Sequence, residues 1–140
     1  MTESSSLPPA QVWPSLKAHD APALITFCVE VLGFVATAVY AEGRTVHHAQ
    51  LDWPEGGGLM LGSHQPGADW SREPGTAGSY VVTDHVEEVW ARVQAGGARV
   101  VRPLAATDYG SVEFAVADPE GNLWSFGSYR GEPRPDPAVR

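Results

Sequence analysis

The side chains of this chain best able to move protons or hold a metal are five histidines, one cysteine and seventeen carboxylates. Their spacing decides what they can do together. His47 and His48 are adjacent in TVHHAQLDW, which reads as a strand, so their rings point to opposite faces and cannot share a metal. Alternation leaves His48, Gln50 and Asp52 on one face, with Ala49 and Leu51 turned toward a helix. In SVEFAVA the same rule sets Glu113 and Ala115 opposite Phe114 and Val116. His48 and Glu113 are therefore candidates for hydrogen bonds to a ligand or for proton transfer. His19 and His85 flank two expected helix starts, and His64 follows in a loop with Gly and Pro, so all three read as turn residues. Cys28 falls on an apolar helical stripe and reads as core. PEGGG, from Pro54, is a hairpin turn and not a phosphate loop, since it opens no helix and no GK[ST] follows.

Such residues need a sheet to hold them, and the chain encodes one twice. SLKAHDAPALITFCVEVLGFVA from Ser15 aligns with SYVVTDHVEEVWARVQAGGARV from Ser79, setting Asp20 over Asp84, Val29 over Val93 and Gly33 over Gly97 at an offset of 64. PEGGGLMLGS from Pro54 lies over PEGNLWSFGS from Pro119 at an offset of 65. The period exceeds that of common solenoids, so two fused modules fit better than an array. Each copy reads as strand, helix, then three strands. Asp20 and Asp84 stand at N-cap positions, and Glu87 completes a capping-box pattern with Asp84. Leu24, Phe27, Cys28 and Val31, and likewise Val86, Val89 and Val93, follow helical spacing, with Gly33 and Gly96-Gly97 as stops. Strands are expected at 34–41, 44–53 and 58–63, and at 98–103, 110–117 and 122–129. The fold class is thus α+β, with modules at 11–64 and 78–130, a linker at 65–77 and flexible tails at 1–10 and 131–140.

The paired βαβββ pattern, with EVLGF after the first helix and DPEGNLW before the last strand, resembles the vicinal oxygen chelate superfamily of glyoxalases, ring-cleaving dioxygenases and bleomycin-resistance proteins. The resemblance covers about residues 11 to 130. It implies one curved mixed sheet around a cup, with metal ligands on the first and last strand of each module. Those positions fall near Trp13, at Met60 (or Leu61 if the register slips), near Gly78 or Ser79, and at Ser125. None is a His, Glu, Asp or Cys, so no metal and no other cofactor is expected. The cup lining is expected from Trp13, Ser15, Lys17, His48, Gln50, Glu113 and Ser125, with Tyr109 at the rim and Trp70 on the linker as a lid. These imply a metal-independent binder of a small aromatic or cationic molecule, an antibiotic among the candidates, like the bleomycin-resistance branch. The alternative is a glyoxalase-like lyase, isomerase or dioxygenase with a non-standard site, using His48 and Glu113. The resemblance further implies a homodimer.

Composition narrows the partners. A net charge of −8 argues against nucleic acid, which needs clustered Lys and Arg. A lone cysteine fits a reducing cytoplasm. No apolar run reaches membrane-spanning length, and the start MTESSSLPPA lacks the charged and apolar regions of a signal peptide.

Overall fold

A computed structural model describes residues 10–133 and 135; the tails expected at 1–10 and 131–140 lie largely outside them. Strands and helices follow the expected double βαβββ order. Module one comprises β1 (Ser15–Ala18), α1 (Ala21–Phe27), which widens into a π-type turn (Cys28–Leu32), β2 (Val35–Glu42), β3 (Thr45–Asp52) and β4 (Gly58–Ser63). Module two comprises β5 (Gly78–Val82), α2 (Val86–Ala95), β6 (Arg99–Ala106), β7 (Val112–Ala117) and β8 (Leu123–Gly127). The strands form two open four-stranded sheets, β1-β4-β3-β2 and β5-β8-β7-β6, where one curved sheet was expected. Each has one parallel pair, β1 with β4 and β5 with β8. The modules meet through helices, turns and core rather than through a shared strand edge. No helix among the described residues is long and apolar enough to cross a membrane.

Local chemistry explains the helix ends. The Asp20 carboxylate accepts from the Ala23 amide at 3.1 Å, and Pro22 in the first turn has no donor to lose. Gly33 ends the π-type turn at φ +101°, and beside it Arg92 of α2 donates to the Leu32 carbonyl at 2.9 Å. The cap expected at Asp84 is corrected: His85 holds that position without a side-chain bond. Asp84 is drawn elsewhere, its amide to Glu55 and its carboxylate to Arg130.

The two modules share one core. Leu24, Cys28, Leu32, Leu51, Val93, Phe114, Val116, Trp124 and Phe126 are buried in a single cluster. Phe34 packs 5.0 Å from Trp53 and 5.6 Å from Trp124, bridging the sheets, and the Trp53 indole N–H donates to the Val82 carbonyl at 3.1 Å. Trp90 packs on Phe114 at the core's edge. Around it the repeated Pro-Glu-Gly turns exchange caps. Glu55 accepts from the Asp84 amide and the Thr83 hydroxyl, at 2.8 and 2.6 Å. Glu120 accepts from the His19 and Asp20 amides, at 2.9 and 2.8 Å. Each turn thereby satisfies donors at the strand-to-helix corner of the other module. The DPEGN turn itself is organised by buried Asp118, which accepts from the amides of Glu120, Gly121 and Asn122, from Asn122 Nδ2 and from the Trp124 indole.

Candidate functional site

Strand register fixes what stands where the resemblance places metal ligands. Ser15 pairs with Met60 on β1 and β4, and Tyr80 pairs with Ser125 on β5 and β8. Leu61 is buried in the core, so Met60 is the residue on the open face. Ser79 pairs with buried Trp124, so Gly78 rather than Ser79 shares the face of Tyr80 and Ser125. Trp13 lies two residues before β1 and not within it, because Pro14 has no amide for the ladder. Its indole lies over Gly58, where an added Cβ would come within 2.8 Å of the ring. Trp13, Met60, Gly78 and Ser125 do not fit a divalent metal, which needs three or four N, O or S donors. Among the described residues no three His, Cys, Asp or Glu side chains converge elsewhere. Ser125 Oγ is buried with no hydrogen-bond partner.

The face around Ser125 carries a different polar centre. The Tyr80 hydroxyl donates to Glu113 Oε2 at 2.9 Å, and the Tyr109 hydroxyl donates to Oε1 at 2.7 Å. Tyr80 reaches Glu113 by crossing β8 at Gly127, where any Cβ would collide with its hydroxyl. Tyr109 folds back from the β6–β7 turn and meets the Tyr129 ring edge-on at 5.6 Å. The Tyr129 amide closes the network by donating to the Tyr80 and Ser111 oxygens at 3.0 and 3.1 Å. Burial pushes the Glu113 carboxyl upward, but hydrogen bonds from Tyr109, Tyr80 and Ser111 and the charge of Arg102 outweigh it, leaving it below the usual glutamate range. Tyr80 is raised by burial and then by its bond to Glu113, and Tyr109 chiefly by that same acceptor. A carboxylate held ionised in this way accepts hydrogen bonds well and is a weak base at neutral pH.

Module one holds its polar residues apart from this network. His48 stacks on Tyr40 with centroids 6.1 Å apart, and Gln50 Nε2 donates to Asp52, which Thr37 also contacts. Among the described residues no hydrogen bond joins His48, Gln50 or Asp52 to Glu113, although alternation put them on the faces expected. Trp13, Ser15 and Trp70 do come together. With Lys17, Asp69, Ser71 and Arg72 they line a cleft of about 530 Å³, over which Trp70 remains 74% exposed. A second cleft of about 420 Å³ between the modules, beside Phe34, Trp53 and Arg130, is lined by Ser79 and Tyr80 but by none of the residues expected to line the cup.

Sequence reasoning missed Tyr80, Ser111 and Tyr129. The repeat as aligned set Ser79, not Tyr80, over Ser15. The strand register corrects this, pairing Ser15 with Met60 and Tyr80 with Ser125 at an offset of 65 on β1 and β5. Ser111 and Tyr129 join through backbone geometry, which leaves no periodic signal.

Two βαβββ modules with open faces, carrying aromatic and polar groups where chelating residues would stand, define a protein of the vicinal oxygen chelate fold. The model of the Glyoxalase/Bleomycin resistance protein/Dioxygenase superfamily matches residues 12–126, and the chain belongs to that superfamily. It is similar to TioX from Micromonospora sp. ML1, with 27% identity over 84% of this chain and 97% of that one, and a TM-score of 0.71. An integron cassette protein from V. cholerae gives 22% identity, coverage of 88% and 98%, and a TM-score of 0.61. A glyoxalase I mutant from Zea mays gives 16% identity and a TM-score of 0.65 over 82% of this chain and 43% of its own. The last two likenesses show the fold alone. No curated protein matches the chain.

Proposed function

We propose that this protein binds a small aromatic molecule, an aromatic antibiotic being the first type to try, and holds it without a metal and without changing it chemically. The observation that carries this reading is the residue set at the four chelating positions, Trp13, Met60, Gly78 and Ser125, which offers surface and no donor set. In support, Glu113 is fixed between two phenols as an ionised acceptor, and no hydrogen bond couples it to His48 as an acid–base pair among the described residues. Aromatic contact adds about 0.5–1.5 kcal/mol beyond burial for each ring engaged. Trp13, Trp70 and Tyr109 are the rings proposed for that contact, with Ser15, His48, Gln50, Glu113 and Ser125 as polar partners. Cationic groups on the ligand would find Glu113 and a chain of net charge −8.

The same reading places the protein in the cytoplasm as a homodimer. Open sheet edges and exposed Val35, Val39 and Tyr40 on β2 and Val100 and Val101 on β6 support a partner subunit. The test is a thermal-shift screen against aromatic antibiotics, followed by mass analysis of the recovered compound. A stabilising compound returned intact supports sequestration, since binding only the folded state must raise the melting temperature. A product whose formation depends on Glu113 or His48 would replace it with the enzyme reading. Nickel, zinc or manganese should leave the melting temperature unchanged.

A further inference from the structure

The geometry points to the cleft between β1 and the linker as a site for a planar aromatic monoanion, such as an aryl carboxylate. This inference rests on the binding reading above, and it adds a ligand class that the chain's overall charge would not suggest. Lys17 is the only lysine in the sequence, and it lines the cleft together with Arg72. Among the described residues neither forms an ion pair, whereas Arg44 is paired with Asp20 and Arg130 with Asp84. Arg92 is spent on the Leu32 carbonyl, while Arg99 and Arg102, both on β6, likewise form no ion pair among the described residues. In a chain with 17 acidic and 9 basic residues, two of the cations without an ion pair share one cleft, and Glu73 lies with them along the adjoining cleft. Asp69 is the one carboxylate lining it, so the lining carries an excess of one positive charge.

The same cleft collects two of the five tryptophans. Trp13 is seated, its ring over Gly58 and its indole N–H donating to the Ala10 carbonyl at 3.3 Å. Trp70 is largely uncovered and lines the same cleft, so its ring is free to stack on a ligand. The volume of about 530 Å³ lies within the usual range for small-molecule sites, roughly 300–1,000 Å³. A guanidinium matches a carboxylate through two parallel N–H donors, and an ammonium adds a point charge. The net charge of −8 opposes an anion only at long range. At physiological salt the screening length is about 8 Å, so cations in direct contact decide the preference.

The experiment titrates 2-naphthoate, 2-naphthamide and 2-naphthylmethylammonium into the full chain, reading tryptophan fluorescence. Naphthoate should bind at least tenfold more tightly than the neutral amide, and the ammonium compound more weakly than both at this cleft. Lys17→Gln and Arg72→Gln should each remove several-fold of the preference with the melting temperature unchanged. Arg99→Gln, a matched loss of charge on the exposed edge strand β6, should leave it intact. Trp70→Phe should abolish most of the quench and so locate the probe. Amide or ammonium binding as tightly as naphthoate would overturn the charge assignment while leaving the binding reading in place. Silence from all three probes would sink the site, and with it the role proposed for Trp13 and Trp70.

Discussion

Gly127→Ala tests the tyrosine–glutamate centre without removing any functional group from it. Gly127 has an ordinary strand backbone rather than the left-handed conformation that only glycine tolerates, so the chain itself does not resist alanine. Space does. The new Cβ would collide with the Tyr80 hydroxyl and lie 2.5 Å from Cγ and 3.0 Å from Oε2 of Glu113. The Tyr80 hydroxyl is the end of a side chain and can swing away. Glu113 Cγ moves only by turning the whole buried side chain about its first bond, which also draws the carboxylate from Tyr109. The cost is then the network and not a backbone clash. What breaks is the Tyr80–Glu113 bond and the Tyr129 amide bond to Tyr80. A hydrogen bond to a charged group contributes about 1.5–3 kcal/mol. Tyr80 is 41% exposed, so water replaces part of that, and the expected loss is about 1–2 kcal/mol.

Urea denaturation measures this loss, and ultraviolet titration of the phenols supplies an independent readout. Tyr80 should titrate at a lower pH in the variant, because its raised value depends partly on Glu113. The destabilisation should also depend on pH with a definite sign. Glu113 is depressed in the folded state, so its contribution is present above the unfolded glutamate pKa and lost as the pH falls through the folded one. Tyr80 is raised, so its contribution is present below the unfolded tyrosine pKa and lost as the pH rises past the folded value. The difference between wild type and variant should therefore be widest between these limits. A cost under about 0.5 kcal/mol, the scatter of ordinary surface substitutions, together with an unmoved phenol titration, would refute the account.

Three further outcomes follow from the packing. Asp118→Ala strips five donors of their shared acceptor in a buried turn and should cost at least about 3 kcal/mol in urea denaturation. Glu120→Ala leaves the His19 and Asp20 amides uncapped and should cost about 1–2 kcal/mol, and Glu55→Ala should cost a similar amount through Thr83 and Asp84, both by urea denaturation. Cys28, its thiol pushed far up by burial, should resist iodoacetamide in the folded protein and react after denaturation, as read by mass.

How far the sequence spoke depends on the range of the interaction. Helix stripes and strand alternation are local and periodic, so Leu24 and Val93, Ala49 and Leu51, and Phe114 and Val116 went inward as their spacing required. Strand limits fell within two residues of those expected except on β6, which runs to Ala106, three residues past the expected end. Asp84 does not cap because its carboxylate accepts from Arg130, 46 residues later, while its amide donates to Glu55 of the other module. The DPEGN turn was legible as a turn, but its reach was not: Glu120 serves a corner about 100 residues away. The polar faces of β3 and β7 were assigned correctly. Whether they would meet was beyond any periodic argument, and in this chain no hydrogen bond joins them among the described residues.

The duplication shows how one backbone came to present two different surfaces. Ser15 and Tyr80, Trp13 and Gly78, and Gly58 and Leu123 are equivalent pairs at an offset of 65, and glycine recurs at 62 and 127. In module two the large residue is Tyr80, and the gap at Gly127 lets its phenol cross β8 to Glu113. In module one the large residue is Trp13, two places earlier, seated in the gap that Gly58 provides. Ser15 is too short to reach across Gly62, which pairs with Lys17. Moving one aromatic by two residues, which keeps it on the same face of the strand, thus exchanges a closed tyrosine–carboxylate centre for an open tryptophan cleft with a free cation. That shift sets the open face of module one apart from that of module two.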